Sequence, residues 1–64
     1  MATREEIRVV QTSVYYDVLE VERINQEAGI AVKGLKNLKN KVKSTMHAED
    51  IAWVEKQHTE ANEN

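Results

Sequence analysis

Three groups of side chains in this chain could carry chemistry. The first is a lysine run, Lys33, Lys36, Lys39, Lys41 and Lys43, in a stretch without an acid. Several lysines on one helix face can meet nucleic-acid phosphates or anionic lipid headgroups. The second is Glu55-Lys56-Gln57-His58, the Glu-x-x-His spacing with which helical bundles hold paired metals. Residues three apart share a helix face, so Glu55 and His58 could reach one ion. Glu20, Glu22 or Glu27 would have to supply further ligands. The third is the adjacent pair Tyr15 and Tyr16 near Leu19, residue types that anchor protein–protein contacts.

Each group also has a plainer explanation. The lysine run contains no arginine and no aromatic residue, so bidentate phosphate contacts and base stacking are missing. Charge alternates along the chain: residues 1–29 carry −3, residues 30–46 carry +5 and residues 47–64 carry −4. That order suits a basic segment lying beside acidic neighbours, within one chain or between copies. A Glu-x-x-His match arises readily by chance in a glutamate-rich chain, and an exposed helix end accounts for Glu55 and His58 equally well. His47 and Asp50 also stand three apart, where helix capping is the simpler role. Ser13 and Ser44 lack catalytic companions, and there is no cysteine and no glycine-rich phosphate loop. No cofactor and no metal are therefore expected. Nor is an enzyme, because so short a chain has few walls to enclose a catalytic pocket.

Tyr15-Tyr16-Asp17-Val18-Leu19-Glu20-Val21 resembles the opening of a J domain, Tyr-Tyr-x-x-Leu-Gly-Val. Met46-His47-Ala48-Glu49-Asp50 faintly resembles that family's His-Pro-Asp loop. Glu20 replaces the glycine, Ala48 and Glu49 replace the proline and aspartate, and the two segments lie too far apart. Co-chaperone activity is not implied.

The elements that must position these groups read as helices. The chain has no proline and two glycines, Gly29 and Gly34, so helix breakers are few. Thr3-Arg4-Glu5-Glu6 has the pattern of a capping box. A heptad frame starting at Ile7 puts Ile7, Val14, Val21, Ala28, Leu35 and Val42 at a, and Val10, Asp17, Ile24, Ala31, Leu38 and Thr45 at d. Ten of these twelve are apolar, although apolar residues make up only 41% of the chain. Val18, Val32, Met46 and Trp53 at e widen the stripe beyond a two-stranded seam. Tyr15, Tyr16 and Leu19 fall outside it. Residues 7–24 are rich enough in Val, Ile and Tyr for a strand to compete, but no hairpin turn accompanies them.

These signals predict an all-α protein, a small helical hairpin or bundle forming a single domain over 1–64. A long first helix spans about 4–28, followed by a bend near 29–34 with Gly29 closing the helix. A second helix runs to about 45. Ser44 or Thr45 caps a short third helix over about 48–60, and the polar tail 59–64 frays. Chains of this size rarely build a sufficient core alone, and disulfides are excluded, so the expected staple is self-association or a protein partner. The expected interaction residues are Ile7, Val10, Val14, Val18, Val21, Ile24, Leu35, Leu38, Val42 and Trp53, with Tyr15 and Tyr16 forming a second patch. For Trp53, covering the end of the core is expected ahead of this surface role. The function expected is a non-enzymatic interaction or assembly module. The alternatives are a nucleic-acid accessory protein using the lysines and, behind that, a metal-binding bundle using Glu55 and His58. No apolar run is long enough to span a bilayer, and the first residues lack a signal peptide's apolar stretch, so a cytoplasmic location is expected.

Overall fold

A computed structural model describes residues 3–63. The chain is all-α, with helices α1 (Arg4–Glu27), α2 (Leu35–Ser44) and α3 (Ala48–Ala61). No strand occurs among the described residues. α1 packs against both later helices. The molecule extends 40 × 29 × 18 Å, whereas an unbroken helix over 4–45 would reach about 60 Å. The chain therefore bends where the glycines stand.

α1 opens with the anticipated capping box. The Glu6 amide donates to Thr3 Oγ1 at 3.1 Å, and the Thr3 amide donates to Glu6 Oε2 at 3.3 Å. Its other end is a Schellman closure around Gly29, which adopts a φ of 72°. The Ile30 amide donates to the Asn25 carbonyl at 2.8 Å, and the Gly29 amide to the Gln26 carbonyl at 3.1 Å. Gly34, at φ 87°, turns the chain into α2 without any side-chain cap.

Ser44 and Thr45 do not cap α3. Their hydroxyls donate backwards to the carbonyls of Lys41 and Val42, at 2.6 and 2.8 Å, and so close α2. His47 takes the N-cap position of α3 with no side-chain bond to the helix. Glu49 and Asp50 in the first turn supply the negative charge that a helix start favours. α3 runs on to Ala61, so residues 59–61 are helical where fraying was expected. Asn64 lies outside the described residues.

The core forms on the side of α1 that lies mostly outside the heptad stripe. Tyr15, Leu19 and Val54 form its centre, with Tyr16, Val42, Met46 and Ile51 packed around them. Val18 is buried too, but Ile7, Val10, Val14, Val21 and Ile24 are exposed. The heptad's a and d positions thus mark an outer face of α1, and the b and f positions point inward. Larger side chains explain the choice. One face of α1 must cover two short helices, and Tyr and Leu bury more apolar area there than Val does.

Polar contacts fix the helices around this core. Gln11 Nε2 donates to the Thr45 carbonyl at 2.9 Å, holding the α2–α3 turn to α1. Lys39 Nζ lies 3.1 Å from Glu22 Oε1, joining α2 to α1.

Candidate interaction surface

α1's outer face is the largest apolar feature that the fold leaves open. At helical spacing, Ile7, Val10, Val14, Val21 and Ile24 fall within an arc of about 100°, a face about 26 Å long. Their exposures run from 42% at Val14 to 61% at Val10. Asp17 lies in the same arc and is also exposed. Val18 sits where this arc meets the core face, and it alone of the α1 stripe is buried. On α2, Leu35 and Val42 are half-buried, while Leu38 is exposed. The heptad periodicity thus marks an apolar face that the chain's own fold leaves largely uncovered.

A second exposed region lies between α1 and α3. Trp53 is 57% exposed and lines shallow grooves with Arg8, Val9 and Thr12 on one side and Tyr16 and Asp17 on the other. It does not cover the end of the core. Its neighbour Val54 is the α3 residue that turns inward, fully buried at the centre of the core.

Tyr15 and Tyr16 do not form an outer patch. Tyr15 is wholly inaccessible, and its hydroxyl has no hydrogen-bond partner. Burial pushes its phenol up to about 12, and the nearby carboxylates of Glu55 and Glu22 add to the effect. Tyr16 is half-buried and meets the His58 ring edge-on, with centroids 5.2 Å apart and planes at 76°. Adjacent aromatics on one helix signalled an anchor, and the anchor proves to be internal.

The Glu55–His58 pair is not joined by other ligands. Among the described residues, no three His, Asp or Glu side chains gather as a metal site would require. His58 Nε2 is buried without a hydrogen-bond partner, 3.9 Å from Glu20 Oε1, and Glu55 faces solvent. Glu22 is taken by Lys39, and Glu20 and Glu27 both pair with Arg23.

The lysines are divided. Lys39 is paired with Glu22, and Lys33 lies in the turn before α2. Helical spacing puts Lys36 and Lys43 on Lys39's side of α2 and Lys41 on the other. The structure therefore presents no single five-lysine face. One site-building contact was not foreseen at all: Arg8 and Asp50, 42 residues apart, form a bidentate pair. The only sequence signal for it was the acidic start of α3.

No family model, curated protein or solved structure matches this chain. None of the described helices is long and apolar enough to cross a membrane. Any functional reading rests on the surfaces themselves.

Proposed function

We propose that the chain is a small non-enzymatic interaction module whose working surface is the outer face of α1. One observation carries this reading. The fold is complete at all three helices, yet five β-branched apolar residues of α1 stay exposed in one continuous arc. Fully burying one such side chain from water is worth about 1.5–3 kcal/mol, and these residues, about half exposed, stand to gain about half of that. A fold with so few buried apolar residues gains much from a partner that covers this face, because binding to the native state adds directly to its stability. The lysines offer no competing surface of one sign, because they are divided around α2 and Lys39 is paired with Glu22.

The test is a photo-crosslinking side chain placed at Val14, or at Asn37 on the exposed side of α2, in chains expressed in their native host. Val14 should give discrete protein adducts and Asn37 few. No adduct from Val14, or equal yields from both positions, would refute the assignment of this face.

A further inference from the structure

We propose that the groove between the starts of α1 and α3 seats an arginine side chain presented by a basic segment of another protein. This surface is separate from α1's outer face, and the proposal does not depend on what covers that face.

The groove measures about 540 Å³ and is lined by Glu5, Arg8 and Val9 of α1 and by Glu49, Asp50 and Trp53 of α3. Its charge is one-sided: three carboxylates stand against one guanidinium. That guanidinium is already engaged, because Arg8 donates to both oxygens of Asp50, at 2.6 and 3.1 Å. Glu5 and Glu49 are exposed, and among the described residues neither forms an ion pair. Their field reaches into the groove. The Asp50 hydrogen bond and charge raise the Arg8 guanidinium above its ordinary value, and Glu49 and Glu5 add to the effect. A further cation entering here meets two carboxylates that no ion pair neutralises, whereas a phosphate is repelled.

Trp53 makes the site one for a guanidinium. Its residue is 57% exposed, and Val9 beside the same groove is 63% exposed. A planar guanidinium can stack on an indole while its N–H groups donate to carboxylates, and an ammonium gains less from the ring. Helix starts favour acids, which accounts for Glu5 and Glu49 but not for an indole left open beside them. Tryptophan and arginine are the residue types that most often dominate protein–protein contacts. A metal ion is poorly served, since among the described residues no three His, Asp or Glu side chains gather as ligands.

The probe is the peptide acetyl-Gly-Arg-Gly-Arg-amide, with its citrulline counterpart as a neutral control of similar shape. Added to the isotope-labelled intact chain, the arginine peptide should shift the Trp53 indole resonance and the Glu5 and Glu49 amides saturably. The citrulline peptide should not, and this comparison needs no variant to fold. Glu5→Gln combined with Glu49→Gln should weaken binding about fivefold, on the scale of exposed ion pairs, with helicity retained. Trp53→Leu should weaken it too and spare the core, which Val54 fills. Equal shifts from both peptides would overturn the site, and so would shifts spread evenly over other exposed acids such as Glu55 and Glu60. Self-association of the chain alone, abolished by the double glutamine variant, would give the groove to the lysines of a second copy and overturn a foreign partner.

Discussion

The guanidinium of Arg8, at the start of α1, grips both carboxylate oxygens of Asp50, at the start of α3. Arg8 Nη2 donates to Oδ1 at 2.6 Å, and Nε donates to Oδ2 at 3.1 Å. Asp50 is buried while half of the Arg8 side chain remains exposed. The contact fixes the angle at which α3 returns along α1, and so places Val54 against Tyr15.

Asp50→Asn should lower the melting temperature by several degrees at neutral pH. The Arg8 hydrogen bonds hold the Asp50 carboxyl below the usual carboxylate range, and the Arg8 charge adds to the effect. A depressed carboxyl stabilises the fold above its unfolded value of about 4, and that contribution is lost as pH falls through the lower native value. Wild type and Asp50→Asn should therefore differ most near neutrality and converge in acid. Thermal melts by circular dichroism across pH 2–7 would show a constant gap if the pair contributed nothing through charge.

Tyr15→Phe should leave stability unchanged or raise it by up to about 2 kcal/mol, because it removes a buried hydroxyl without a partner and keeps the ring. The wild type carries a pH signature that the variant lacks. The unfolded phenol ionises near 10, the native one at about 12. Between these values the native state holds the proton that the unfolded state has lost, so stability falls as pH rises. Below that window, Tyr15 imposes no pH dependence. In denaturant titrations from neutral to alkaline pH, the gap between the two proteins should stay constant until the alkaline range and widen only there. Parallel curves throughout would mean that the phenol is solvated.

Gly29→Ala and Gly34→Ala should each cost about 1–2 kcal/mol, because both glycines hold positive φ values that L residues resist. Neither added Cβ would meet a neighbour within 4 Å, so the loss is backbone strain alone and not a clash. Gly29→Asn should be milder, since asparagine tolerates the left-handed region. If alanine proved neutral at both positions in urea melts, the bend would not be closed as described.

Much of this fold was legible because it is written locally. A capping box, two glycines and a break at Lys43–His47 marked by Ser44 and Thr45 delimit three helices without reference to tertiary contacts. Which face of α1 turns inward is not local information. The a and d residues and the b and f residues are both apolar enough to be buried, and only packing against α2 and α3 decides between them. The same limit explains the mistaken reading of Tyr15 and Tyr16 as an outer patch. It also explains the missed Arg8–Asp50 pair, whose members meet only after the chain has turned twice.

Asp17→Leu separates an outer seam from a bare surface. If α1's outer face stays in water, replacing an exposed carboxylate by leucine should move the melting temperature little, and equally at all protein concentrations. If the face pairs with a second copy, Asp17 is the one charged residue among five apolar ones. A polar residue in such a seam fixes register at the expense of stability. Asp17→Leu should then raise the melting temperature, more so at high protein concentration. It should also broaden the distribution of assemblies in sedimentation velocity, since the one charge that restricts the register is gone. Leu19→Ala supplies the contrast. It removes a core contact with Tyr15 and Val54, so its loss of about 2–5 kcal/mol should be independent of concentration. A destabilised Asp17→Leu would remove the seam argument altogether.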